Sequence, residues 1–255
     1  MAILITGLGY VGAALARRLV ESGHDVVAVE NYFSTPKDQL QSLAEQCPFS
    51  MVEGSITEAS TLERAFEAAH IDAVFHLAGQ ASAQPRAAPI AYTQETNFTG
   101  PRLLLDACRE AGVRRIVVAS SMRLYRTPLP RRISEESPLH PMDLVHLSQL
   151  YGEHLLRAYQ EVSTGNDGAR DAAAPPLMVA ARMGIVHGVS PVMKTDPTFL
   201  AAPQRFCLQA VRGERLRAAT GAHAIHAFVH VDDTVDGLLR CLDLSPGVHV
   251  VNLAA

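Results

Sequence analysis

The stretch that decides the fold is "ILITGLGYVGAAL", Ile3 to Leu15. Its first four residues are aliphatic or β-branched and uncharged, which reads as a strand covered on both faces. The chain then turns through Gly7, Gly9 and Gly12, spaced G-x-G-x-x-G, into a helical segment from Tyr10 to Ser22 that stops at Gly23. Strand, glycine turn and helix in this order give the glycines a purpose. They permit a tight turn, close approach of backbone to a ligand, and close packing of helix on strand. The helix N-terminus adds unpaired N–H groups and partial positive charge, a suitable seat for a pyrophosphate.

The next strand, "DVVAVE", ends on Glu30, 18 residues after Gly12. A carboxylate there accepts both hydroxyls of a ribose and repels a 2′-phosphate, which favours NAD over NADP. Further apolar runs follow at 50–54, 72–79, 115–121 and 176–186, alternating with helical patterns at 38–46, 59–70, about 90–111 and 145–160. Repeated βα units with near-continuous apolar strands predict an α/β chain with a Rossmann-type, doubly wound parallel sheet.

Two segments break the rhythm. "STGNDGARDAAAPP", 163–176, is rich in small residues and reads as a surface loop. After residue 187 the spacing loosens into a helix through 205–213 and a strand near 215–219. "HAFVHVDDTVDGLLRCLDL" then reads as a strand running into a helix capped by Asp232 or Asp233. The expected division is a dinucleotide-binding domain over 1–186 and a small C-terminal substrate lobe over 187–255. That lobe interleaves with the last strand and helix of the first domain.

Bulk properties exclude several classes. The 255 residues are 48% hydrophobic and 19% charged with net charge −4, so no basic field invites nucleic acid. The "RR" pairs at 17, 114 and 131 are scattered. The first apolar run holds three glycines with Arg17 and Arg18 near its end; it is too broken to span a membrane and lacks the basic start of a signal peptide. Four cysteines with no C-x-x-C pair read as free thiols in a reducing cytoplasm. His226 and His230 are four apart, but on an alternating strand that separates them by about 13 Å. No metal, nucleic-acid partner or membrane is expected, and a cytoplasmic location is.

Together these elements resemble the extended short-chain dehydrogenase/reductases, in particular the nucleotide-sugar epimerase/dehydratase group. The resemblance covers essentially the whole chain. It is carried by "LITGLGYVGAAL", "VVAVENYFS", "VEGSIT", "VFHLAG", "TNFTGPRLLLDAC", "RRIVVASSMRLYR", "SQLYGEHLLRAY" and "FVHVDDTVDGLL". It implies NAD as cofactor, a nucleotide sugar or other polar metabolite as substrate, and a homodimer through the helices at 90–111 and 145–160. Tyr10 and Val11 would lie along the pyrophosphate, and Glu30 and Asn31 on the adenosine ribose. Ser55 and Ile56 would flank the adenine, although the family usually has Asp where Ser55 stands. Leu77, Ala78 and Gly79 would line the cofactor, with Asn97 as the family's structural Asn. Ala119, Ser120 and Ser121 would reach toward the nicotinamide. The chain stops at "VVNLAA", where family members usually continue through part of the substrate cap, so a short lobe is expected.

The catalytic pattern fails in one place. The family sets a Ser or Thr four residues before a Tyr at the end of the fifth strand, and Ser121 and Tyr125 match. It then places Tyr-x-x-x-Lys on a helix, the Lys lowering the Tyr pKa so that the Tyr moves a proton to or from a substrate hydroxyl. The downstream residues Ser148, Gln149 and Glu153 match the family's S-K-x-x-x-E, which aligns its Lys with Gln149 and its Tyr with Val145. Neither carries an ionisable group, although Gln149 retains hydrogen bonds for a ribose hydroxyl. Tyr151 and His146 point about 120° and 100° away from Val145 round the helix. Three groups stand where the family places chemistry. Arg123 is a catalytic substitute, an anion anchor or a surface ion pair; His187 and His226 are substitutes or polar residues at loop and edge positions. Two readings result: an epimerase/dehydratase-like enzyme using Ser121, Arg123 or His187, and a catalytically silent NAD-binding sensor or partner subunit.

Overall fold

The computed structural model describes residues 1–82, 84, 87–125, 132–164, 175–216 and 225–254. The chain alternates strands and helices: β1 (Ala2–Thr6), α1 (Tyr10–Glu21), β2 (Asp25–Glu30), α2 (Lys37–Gln46), β3 (Ser50–Glu53), α3 (Ala59–Glu67) and β4 (Ala73–His76). It continues through α4 (Ile90–Gln94), α5 (Gly100–Glu110), β5 (Arg115–Ser121), α6 (Leu144–Thr164) and β6 (Leu177–Met183). The remainder is β7 (Ile185–His187), α7 (Ala202–Val211), β8 (Phe228–His230), α8 (Val231–Arg240) and β9 (Gly247–Leu253). Among the described residues one sheet is parallel throughout, in the order β3-β2-β1-β4-β5-β6-β9.

The period-2 geometry of a strand divides the apolar side chains between two cores, one on each face of the sheet. In β1, Ile3 and Ile5 enter one core and Leu4 the other. Val26 and Ala28 of β2 oppose Val27 and Val29 in the same way, and Leu177 and Val179 of β6 oppose Met178 and Ala180. Leu15 and Leu19 of α1 and Val235 and Leu238 of α8 cover the first face. Leu62 of α3, Leu104 of α5 and Leu156 of α6 cover the second. Strand order reverses between β1 and β4. The loops leaving their carboxyl ends therefore part in opposite directions, opening the crevice in which doubly wound sheets bind ligands.

Three sequence expectations need correction, and one strand has no counterpart among them. The run 176–186 is two strands, because the chain leaves the main sheet at Gly184. That glycine packs so closely on the second sheet that a Cβ would lie 2.9 Å from the Ala227 carbonyl oxygen. β7 then pairs in parallel with β8 in a separate two-stranded sheet. The helix at 90–111 is interrupted by a π-helical turn, Glu95–Thr99, in which the Gly100 N–H reaches back to the Glu95 carbonyl. Pro101 has no N–H to offer the Asn97 carbonyl and its ring crowds that oxygen, so the ladder widens there. The cap of α8 is His230, whose Nδ1 accepts from the Asp232 N–H at 3.2 Å. Asp232 and Asp233 sit inside the first turn instead, where they favour the positive end of the helix. Finally, residues 247–253 form β9, the edge strand beside β6, which the sequence reading did not separate.

Arg215 and Leu216 are not in a strand, and the rest of the expected strand at 215–219 lies outside the described residues, as does most of the loop at 163–176. No helix among the described residues is long and apolar enough to cross a membrane. The four cysteines are unpaired, and no group of three or more His, Cys, Asp or Glu among the described residues could hold a metal ion.

Candidate cofactor and active site

The crevice holds a cavity of about 1230 Å³. Single drug-sized ligands occupy roughly 300–1,000 Å³, so this space admits a dinucleotide and part of a second molecule. Gly7, Gly9, Tyr10, Val11 and Gly12 form its floor. Gly7 has φ +86°, and a Cβ there would lie 2.5 Å from the Ala78 nitrogen. A Cβ on Gly12 would run into the Gly7 carbonyl oxygen. Those two glycines fix the turn. Gly9 differs: its open side faces the cavity, and the nearest atom to a Cβ there is Lys194 Nζ at 3.6 Å. The first turn of α1 carries no acidic side chain, so the positive helix end is left for a ligand.

At the β2 end, Glu30, Asn31 and Ile56 border the cavity. Glu30 is 7% exposed, and its carboxylate accepts from three backbone amides: Leu8 at 2.8 Å, Asn31 at 3.0 Å and Tyr32 at 2.8 Å. It thereby ties the glycine turn to the end of β2. Ser55 does not border the cavity; its hydroxyl is 2.8 Å from that of Thr57 and accepts the Thr57 N–H. The Phe33 and Tyr92 rings, which the sequence reading did not single out, stack 3.8 Å apart at this end, and both line the space.

Leu77, Ala78 and Gly79, leaving β4, line the middle, and Asn97 meets them from the π-helical turn. Asn97 is fully engaged. It accepts from the Gln80 N–H at 2.8 Å and donates to the Gln80 carbonyl at 2.9 Å and the Ser148 hydroxyl at 3.0 Å. Ser148 donates in turn to the Val145 carbonyl at 2.7 Å. The wide turn created by Pro101 thus holds the start of α6 in place. Asp143 assists: its carboxylate accepts the His146 N–H at 2.9 Å as an N-cap.

Ala119, Ser120, Ser121, Arg123 and Gln149 close the far end. The Ser120 hydroxyl turns into the core, donating to Glu153 at 2.6 Å. Glu153 also receives Arg182 in a two-pronged pair at 2.8 and 2.6 Å. Arg182 then donates to the Tyr125 hydroxyl at 2.6 Å, which donates to Asn252 on β9 at 2.9 Å. Tyr125 is 1% exposed and locked in this network, and it does not line the cavity. Ser121 and Arg123 remain available. The Ser121 hydroxyl accepts the Arg123 N–H at 3.1 Å, and the Arg123 guanidinium forms no salt bridge among the described residues. Burial, and then the positive charge of Arg123, hold the His146 pKa below its ordinary value, with Asp143 opposing.

Of the two α6 positions where the family has its Tyr and Lys, Gln149 lines the cavity with its Oε1 unpartnered, whereas Val145 is buried outside it. His187 is not brought to the cavity; its ring lies 5.4 Å from that of His230 and 6.4 Å from Phe228, in the β7–β8 sheet. His226 likewise packs 6.3 Å from Phe228. Lys194, missed in the sequence, is the addition. Its one sequence signal is rarity, since the chain contains only two lysines, Lys37 and Lys194.

Known proteins resemble this chain in sequence and fold. A UDP-glucose 4-epimerase of Bacillus subtilis is 30% identical over 161 residues, covering 62% of this chain and 47% of that protein. One from Mycolicibacterium smegmatis is 30% identical over 242 residues, covering 94% and 72%. The match thus spans about half the length of the Bacillus relative and more of the Mycolicibacterium one. Among solved structures, UDP-glucose 4-epimerase with UDP-glucose from Thermotoga maritima superposes with TM-score 0.83 at 24% identity, covering 100% of this chain and 77% of that one. MoeE5 in complex with UDP-glucose and NAD gives 0.80 at 25%, covering 100% and 76%. The model of the NAD dependent epimerase/dehydratase family matches residues 3–254, and the chain belongs to that family.

Proposed function

We propose that this chain binds NAD in the crevice and acts on a nucleotide sugar, or a similar polar metabolite, with an atypical set of active-site groups. The residues fit the cofactor: glycines that leave no room for a Cβ, an open helix N-terminus, and the unpartnered Gln149 oxygen for a ribose hydroxyl. When bound, NAD supplies a two-electron acceptor at its nicotinamide ring. The substrate class comes from the relatives, whose names include UDP-glucose 4-epimerases and UDP-glucuronic acid decarboxylases.

The observation that carries the enzymatic reading is the pair Ser121 and Arg123. Both line the same end of the cavity, and the guanidinium has no carboxylate partner among the described residues. Ser121 orients a substrate hydroxyl, and Arg123 holds an anionic group of the substrate. With valine at 145 no tyrosine is there to take the hydroxyl proton, and Ser121 orients the hydroxyl without itself serving as the base. His187, away from the cavity, has no part in this reading. The homodimer implied by the family resemblance is assigned to the face formed by the helical segment at 90–111 and α6. There Phe98 and Tyr151 pack 5.1 Å apart beside the exposed Leu147, and Leu147→Glu in sedimentation equilibrium tests it.

The experiment is turnover of UDP-glucose, UDP-galactose and UDP-glucuronic acid with added NAD, followed by NMR of the sugar product. Ser121→Ala and Arg123→Ala should each reduce turnover at least tenfold while NAD binding persists. Turnover unchanged in both variants removes them as active groups. A second reading, a silent NAD-binding sensor or partner subunit, is favoured by the lack of any ionisable group at 145 and 149. It prevails if no nucleotide sugar is turned over while NAD binds.

A further inference from the structure

We propose that Lys194, carried by the segment after β7, is an anion ligand for the pyrophosphate of the dinucleotide, reaching it from the lobe side of the crevice. This rests on the cofactor reading above. The placement comes first. Lys194 Nζ lies 3.6 Å from where a Cβ of Gly9 would stand, over the one face of the glycine turn that is open to the cavity. That face lies at the N-terminus of α1, where backbone donors and the helix dipole already favour phosphate oxygens.

The ammonium has three donors. It donates to the Ser34 carbonyl at 3.1 Å and to the Ser34 hydroxyl, leaving one donor for the cavity that Lys194 lines. The other lysine, Lys37, is paired with Glu53 at 2.7 Å. Lys194 forms no salt bridge among the described residues. Glu30 supports its charge only from a distance, with its own oxygens engaged by three amides. Burial pushes the Lys194 pKa down against that support. A partly desolvated cation without a counter-ion carries a cost, and an anion in the adjacent space reduces it.

The lysine is also held in place. The Ser190 hydroxyl donates to the Tyr10 carbonyl at 2.6 Å, and the Tyr10 hydroxyl donates to the Gly188 carbonyl at 2.6 Å. The Met193 N–H donates to Gln39 at 2.7 Å, and the Phe199 ring lies 5.6 Å from the ammonium. Residues 188–194 are thus strapped to α1 and α2 with Lys194 directed at the glycine turn. A 2′-phosphate is the wrong anion for it, because that group would meet the Glu30 carboxylate. The diphosphate of a nucleotide sugar is the competing source and forms one arm of the test.

Calorimetry on the full chain compares NAD, ADP-ribose, adenosine and UDP across wild type, Lys194→Met and Lys194→Arg, with Lys194→Gln as a second neutral variant. The neutral variants should weaken NAD and ADP-ribose at least tenfold, leave adenosine unchanged, and flatten the salt dependence of ADP-ribose binding; Lys194→Arg should recover most of the loss. Unchanged ADP-ribose affinity overturns the proposal, as does an equal loss for adenosine, which marks mere packing. A loss confined to UDP overturns it in favour of the substrate's diphosphate. A wild-type protein that binds neither NAD nor ADP-ribose overturns the cofactor reading itself.

Discussion

Val145 and Gln149 stand one helical turn apart on the same face of α6; Gln149 lines the cavity, and the short Val145 side chain, 5% exposed, does not reach it. The helix keeps the bonds that position it while lacking the groups that would transfer a proton. Introducing both, Val145→Tyr with Gln149→Lys, should raise turnover of a nucleotide sugar by about 10²–10⁴-fold, the usual contribution of a positioned acid–base group. Either single variant should gain far less, because the tyrosine needs the lysine to lower its pKa. No gain from the double variant means that proton transfer is not what limits this site.

Glu30 joins the glycine turn to the end of β2 at the border of the cavity. Its replacement by alanine removes charge-assisted hydrogen bonds worth about 1.5–3 kcal/mol each. NAD binding measured by calorimetry should weaken by one to two orders of magnitude. An unchanged dissociation constant would show that the carboxylate serves the loop alone.

The Glu153–Arg182 pair is buried on both sides, with side chains 2% and 3% exposed. Glu153→Ala leaves an arginine charge in the core and should cost about 3–5 kcal/mol in urea unfolding. Glu153→Leu combined with Arg182→Met should recover much of that loss. A cost below about 1 kcal/mol for the alanine variant would mean that water reaches the guanidinium.

His76 is buried and its pKa is lowered from 6.5 to about 4 by desolvation; its Nδ1 lies 2.7 Å from the Thr6 hydroxyl. The folded state resists protonation that the unfolded chain accepts. Its contribution is therefore complete above pH 6.5 and is lost as pH falls toward 4, about 3 kcal/mol in all. Urea midpoints between pH 7 and 4 should fall accordingly, and His76→Gln should flatten the fall. The same slope in that variant would assign it to other groups.

The parallel sheet was legible because β1, β2, β4, β5 and β6 are apolar on both faces, which leaves a continuous signal. β7 reads as a continuation of β6 because the break at Gly184 is a matter of close contact with Ala227, not of local propensity. β9 leaves a weaker signal because an edge strand is only partly covered, and all seven of its residues are of intermediate exposure. In the site, the glycines and Glu30 could be read from spacing. Ser55 and His187 could not be placed, since their side-chain directions depend on a turn and on a second sheet. Lys194 was invisible for a stronger reason: it meets Ser34 from 160 positions further along the chain, and no local pattern encodes that return.

The strap over the glycine turn bears on rates as well as affinities. Bonds from Ser190, Tyr10 and Met193 hold residues 188–194 against α1 and α2, beside the cavity that Met193 and Lys194 line. With Lys194 on this segment as a ligand of the cofactor, the expected outcome is that residence time follows the opening of residues 188–194 and not the dissociation constant alone. Protein isolated from cells should carry the nucleotide it acquired while folding, and fresh nucleotide should enter slowly even when it binds tightly.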